Sequence, residues 1–322
     1  MAESRLTAEG THQGAFTTLD WGLLLGPAVI WGSSFFFIEI GLRAFEPMVI
    51  TGLRVLFGFL ALSFIPSARV PVDRRDLPRI ALLGFTWMAF PLSMFSISEQ
   101  WIASSVAGML NAAMPLFTAI VATFLLRRAP GRNQMLGLGV GFVGVILISL
   151  PTIGDGSSSA LGVGLVLAAI AFYAVSINLA IPIQQKYGSI PMFWRMQAFA
   201  LVMLAPFSLA SVPSSHFEWP SLLCCIALGA LGTGLAFVLA GNLAGRVGAS
   251  RASIITYLMP PLSILLGVAF LDETLAVLAA VGTPIVLVGA WLTSRADRAP
   301  RVAPIIDGEL SVCEEPTTSK RR

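Results

Sequence analysis

Ten apolar runs of about 20 residues divide most of this 322-residue chain, and each has the length that crosses a hydrocarbon core of roughly 30 Å. They cover residues 20–41, 47–66, 79–98, 103–126, 134–151, 160–182, 191–211, 221–243, 249–270 and 275–294. The runs are continuously apolar rather than alternating, so they read as helices and not as strands. Composition agrees: 56% of the residues are hydrophobic, 11% are charged and the mean hydropathy is +0.83, outside the range of soluble domains. The expected fold is an all-α integral membrane bundle in a lipid bilayer.

Charge then orients the bundle. With a cytoplasmic N-terminus, 17 of the 20 basic residues fall in cytoplasmic segments. They include Arg5, the Arg69 to Arg79 group, Arg127, Arg128, Arg132, Lys186, Arg246, Arg251 and the six from Arg295 onward. Only Arg43 lies outside, and Arg54 and Arg195 fall within spans. By the positive-inside bias both termini are cytoplasmic, as for a multi-pass protein of an inner (cytoplasmic) membrane. The net charge of +3 and pI near 9.0 are therefore topology signals and not a nucleic-acid footprint. Residues 1–19 form a polar N-terminal tail, and residues 295–322 read as a disordered cytoplasmic tail. The apolar stretch from Trp21 is followed by many others, so a first span is expected there rather than a cleaved signal peptide.

The chain also repeats itself. "ASSVAGMLNAAMPL" (103–116) aligns without gaps on "ASRASIITYLMPPL" (249–262), and "GLGVGFVGVILIS" (137–149) on "GTPIVLVGAWLTS" (282–294) after a one-residue shift. Two five-helix units follow, residues 20–151 and 160–294. An odd number of spans per unit makes the second start from the opposite side, so the units are inverted repeats, an architecture of many secondary transporters.

"WGSSFFFIEIGL", "SEQWIASSVAGMLNAAMPLFTAI", "LGTGLAFVL" and "GRVGASRASIITYLMPPLSILLGVAFLDE", in that order and at those spans, resemble the EamA-type transporters of the drug/metabolite transporter superfamily. The resemblance covers about residues 20–294. It implies movement of amino acids, other metabolites or drugs, most often outward. Two features depart from the pattern. Glu39 stands where the family often has a basic residue, and Arg127 and Arg128 replace the usual acidic residue at the cytoplasmic end of span four. The corresponding pair, Asp272 and Glu273, is present in the second half alone.

Candidate pathway residues follow from what is costly in lipid. Pro115 and the Pro260–Pro261 pair free the carbonyls of Asn111, Thr256 and Tyr257, which need partners at the bilayer midplane. Substrate or cavity water would serve, as would neighbouring helices. Glu39 and Arg54 flank Pro47 at similar depth, which allows an ion pair or two snorkelling side chains. Glu99 and Gln100 are candidates for the same outer vestibule. Asn178, Gln197 and Asn242 read as interhelical hydrogen-bond formers or pathway groups. Trp31 and Tyr173 occupy matching repeat positions, and with Trp87 they either pack or bind substrate. Gly137, Gly141 and Gly144 form a small-residue face for close contact, internal or within a homodimer.

Neither histidine, His12 nor His216, joins a catalytic set, and Cys224, Cys225 and Cys313 have no metal or disulfide spacing. No cofactor and no enzyme chemistry is expected. The partner is a small-molecule substrate, with a coupling proton or ion left open. Uptake or facilitated diffusion by the same fold, and a non-transporting sensor or assembly protein, are the competing readings.

Overall fold

The computed structural model describes Thr11 and residues 16–126, 132–154 and 157–294. Both tail assignments beyond these limits, and Arg127 and Arg128, lie outside the described residues. Among the described residues every regular element is helical.

Ten apolar stretches follow in order. They are α1 (Thr18–Leu42), α2 (Pro47–Ser63), α3 (Leu77–Ser98), α4 (Ser104–Leu125) and α5 (Arg132–Gly154), then α6 (Ser157–Tyr187), α7 (Ser189–Ser211), α8 (Trp219–Val247), α9 (Ser253–Phe270) and α10 (Val277–Ser294). Seven of these are long and apolar enough to cross a membrane, and α2, α5 and α10 contribute shorter apolar helices. Large apolar side chains such as Phe64, Phe124, Val202, Leu209 and Val277 are exposed, the reverse of a soluble surface and what a lipid-facing one requires.

Local irregularities recur at corresponding places in the two halves. Gly84–Ala89 within α3 and Leu228–Leu235 within α8 are π-helical. Widened turns of this kind release backbone groups for other partners and concentrate at functional sites. The chain of α4 turns at residues 112–113 before resuming at Met114, and α9 begins with a 3₁₀ stretch, Ser253–Leu258, before Met259. Pro115 and Pro260 thus sit in the first turn of a new helical segment, where a missing N–H costs nothing. The prolines start helices rather than kink continuous ones.

Close approach is made by glycine. A Cβ on Gly289 of α10 would lie 2.3 Å from the backbone nitrogen of Gly141 in α5, and one on Gly144 2.5 Å from that of Val286. The small-residue face of α5 is therefore filled by α10 of the same chain. Between α8 and α2, a Cβ on Gly229 would fall 2.4 Å from Phe57 Cβ and 2.7 Å from the carbonyl of Arg54. That contact brings α8 against the charged residue of α2.

Candidate functional site

A cavity lies where α1, α2, α3, α4, α6, α8 and α9 converge, so both halves of the chain line it. It offers about 60 Å³ for the centre of a water-sized molecule, room for a few waters at roughly 10–15 Å³ each. Its wall is mostly aromatic. Trp31 meets Phe237 edge to face at 5.0 Å between ring centres, Trp87 meets Phe237 at 6.0 Å, and Phe95 lies 5.8 Å from Tyr173. Such pairs hold one another in fixed orientations.

The π-helical turn of α8 supplies the polar supports. Trp31 Nε1 donates to the Gly232 carbonyl at 2.9 Å. Thr233 Oγ1 donates to Leu228 O, five residues back, at 3.1 Å. The same hydroxyl accepts from Arg54 Nε at 3.2 Å. Gln197 Nε2, from α7, donates to Thr233 O at 2.7 Å. A turn with α-helical spacing would spend these carbonyls within the helix.

Arg54 is the charged member. Its side chain is 3% exposed, it lines the cavity, and no carboxylate among the described residues comes within 4.0 Å of it. Of the two arrangements open to Glu39 and Arg54, the ion pair is therefore not the one made. The two residues share a depth but not a direction: Glu39 faces a vestibule at one end of the bundle, while Arg54 turns into the bundle. Asn111 also lines the cavity, with a buried Oδ1 that has no hydrogen-bond partner; its Nδ2 rests 3.6 Å from Met259 Sδ. The cavity thus presents a cation without a counter-ion and a free acceptor in a largely aromatic lining.

Trp31, Arg54, Trp87, Asn111, Tyr173 and Thr256 are brought together here. Tyr257 is not among the lining residues, although it aligns with Asn111 in the repeat. The 3₁₀ stretch turns the chain by 120° per residue instead of 100°, so Thr256 faces inward in its place. Pro115 and Pro260 are buried and Pro261 is exposed, none of them on the cavity wall. Asn178 donates to Ala174 O within its own helix at 2.8 Å, and Asn242 also lies off the wall.

Glu39, Glu99 and Gln100 belong to a second space. This vestibule has about 360 Å³ of such room and is also lined by Arg43, Glu46 and His216. Sequence reasoning missed Thr233, Phe237, Phe35 and Met259. The glycine spacing of "GALGTG" (229–234), too dense for an ordinary helix interior, was the available signal for the first.

An apolar helical bundle with large apolar side chains on its surface is that of a membrane protein. The chain belongs to the EamA-like transporter family, whose model matches residues 21–150 and 160–295. It is thus a transporter by family and not an enzyme. It is 27% identical over 267 residues to the uncharacterized inner membrane transporter YedA of Escherichia coli K12, covering 80% of this chain and 84% of that protein. It is 26% identical over 286 residues to a probable terminal-alkyne amino-acid exporter of Streptantibioticus cattleyicolor, covering 85% and 93%. A probable amino-acid metabolite efflux pump of Salmonella typhimurium is 24% identical over 295 residues, covering 88% and 97%.

Proposed function

We propose that this protein exports a small amino acid or similar zwitterionic metabolite across the cytoplasmic membrane by alternating access. The working architecture is ten transmembrane helices in two inverted five-helix repeats, with both termini cytoplasmic. The observation that carries the reading is the presence of Arg54 and Asn111 in the lining of one aromatic cavity. An unneutralised guanidinium suits a carboxylate, to which it can donate two parallel hydrogen bonds. A buried amide oxygen without a donor suits an ammonium. The aromatic rings of the same lining suit an apolar side chain. The names of two relatives, an amino-acid exporter and an amino-acid metabolite efflux pump, support the same substrate class and direction.

The cavity is narrower than an amino acid requires, so loading demands that the halves part. Inverted repeats provide for this by rocking about a shared midplane site.

Counterflow into proteoliposomes tests the reading with three probes of one shape: L-leucine, 3-methylbutylamine and 4-methylpentanoate. Exchange of leucine well above both analogues is expected, because each analogue leaves one polar group of the lining unmatched. Equal exchange of the amine would remove Arg54 as the anchor, and no exchange of any solute would favour a sensor.

A further inference from the structure

Glu99 has an unusual position that the cavity does not explain. It caps the C-terminal end of α3, is 5% exposed, and neither carboxyl oxygen has a hydrogen-bond partner. One turn earlier, Phe95 lines the central cavity, while Glu99 itself borders the vestibule. On α1 the same boundary falls between Ile38, on the cavity, and Glu39, on the vestibule. Glu99 is therefore set into the partition between the two spaces.

Its charged surroundings come from three directions. Glu39 of α1 and Glu273, from the segment after α9, are the anionic neighbours, and Arg54 of α2 is the cationic one. Arg43, Glu46 and His216 complete the vestibule wall. Glu273 is committed elsewhere, accepting from Ser104 and Ser105. A buried carboxylate with two acidic neighbours and no donor is a costly arrangement. A proton relieves it directly. A sodium ion would need several further oxygen ligands, and no group of three or more acidic, histidine or cysteine side chains able to hold a metal ion occurs among the described residues.

We infer that Glu99 is a proton-binding site, loaded from the vestibule, whose charge competes with a substrate carboxylate for Arg54. In the empty protein the field of Arg54 opposes this protonation and eases release of the proton. When a substrate carboxylate docks on that guanidinium, the opposing field is neutralised and Glu99 holds its proton more tightly. The amino acid and the proton are therefore bound together, and a proton taken up from the vestibule returns to it when the substrate leaves, so the site links the two occupancies without carrying a proton across. The proton site stands on the geometry of Glu99 alone; its link to substrate rests on the amino-acid reading above.

Infrared difference titration of the purified full-length protein in lipid nanodiscs reads the site without any substrate. The carbonyl band of a protonated carboxyl should persist well above pH 4.3, the ordinary glutamate value, and should be missing from Glu99→Gln. If the glutamine variant does not fold, Glu99→Asp should move the band instead of deleting it. Arg54→Gln should shift the titration midpoint upward by about one pH unit, a tenfold gain in proton affinity. A band identical in wild type and Glu99→Gln, a midpoint at the ordinary glutamate value, or loss of the band on adding sodium chloride at fixed pH would each overturn the proton site. An unmoved midpoint in Arg54→Gln would overturn the competition. Failure of leucine counterflow with the titration intact would instead count against the substrate reading and leave the proton site standing.

Discussion

Glu273 caps the helix that begins at Ser104, 169 residues earlier in the chain. Its Oε1 accepts from the Ser104 amide at 2.8 Å and from the Ser104 hydroxyl at 2.7 Å, and its Oε2 accepts from the Ser105 amide at 3.0 Å. The first turn of α4 has amides with no partner inside the helix, and its positive end favours an anion. The segment after α9 supplies that anion, so the second half of the chain closes one end of the first.

Removing the cap should be felt in stability. Glu273→Ala should lower it by about 1–2 kcal/mol, the usual range for a lost N-terminal cap, and Glu273→Gln by less because one acceptor remains. Thermal unfolding in detergent measures both. Equal, unchanged melting temperatures would show that water replaces the carboxylate without loss.

On the opposite end of the bundle, Asp20 Oδ1 lies 2.7 Å from Arg246 Nε and ties the start of α1 to the end of α8. Asp20 also completes a capping box with Thr17. Because the aspartate is fully buried, Arg246→Gln should strand it, and Asp20→Asn in the same chain should recover part of the folded yield. Strictly additive losses in the double variant would mean that the two side chains contribute independently.

Within the cavity, Arg54→Gln should weaken leucine binding by about 10- to 100-fold, as expected for roughly 1.5–3 kcal/mol in a hydrogen bond to a charged group. Asn111→Ala should cost less, since the amide is neutral. Tyr257→Phe should leave binding unchanged. Isothermal titration in nanodiscs separates the three, and a Tyr257→Phe effect as large as that of Arg54→Gln would relocate the site.

Acid sensitivity should come in part from Asp76, just before α3. The Lys186 ammonium at 2.7 Å and the Tyr187 hydroxyl at 2.5 Å hold its carboxyl below the ordinary value. A depressed folded-state value means that the contribution is complete above the unfolded value, about 3.9. It is lost as the pH falls further, through the folded value. Asp76→Asn should flatten the stability profile below about pH 4 and leave a small uniform loss at neutral pH. The pair is partly exposed, so the effect is modest. A mutant profile parallel to wild type down to pH 2 would assign the acid response to other groups.

The helical character and family of this chain were legible because lipid imposes them residue by residue: a run of 20 apolar residues has few alternatives to a helix. Several cavity residues were legible for a related reason, since Arg54 and Asn111 are expensive in such runs unless something faces them. What the sequence concealed was rotation. Glu39 and Arg54 share a depth, yet depth says nothing about azimuth, and the pair does not form. The 3₁₀ stretch Ser253–Leu258 turns Thr256 inward in place of Tyr257, and no alignment of the repeats encodes that change of pitch. The π-helical segment of α8 was hidden likewise, and with it the role of Thr233 in holding Arg54.

The glycine seam between α5 and α10 has a consequence for how the protein is made. Gly144 and Gly289 are 145 residues apart in the chain, a distance a ribosome covers in roughly 7–30 s at about 5–20 residues per second. For that interval α5 is already synthesised while its bare glycine groove has no mate. Lipid chains fill such a groove poorly, so the nascent first half must be shielded or must borrow another helix until the last one arrives. Biogenesis, more than the finished fold, is where a bulkier residue at Gly141 or Gly289 would do its first damage.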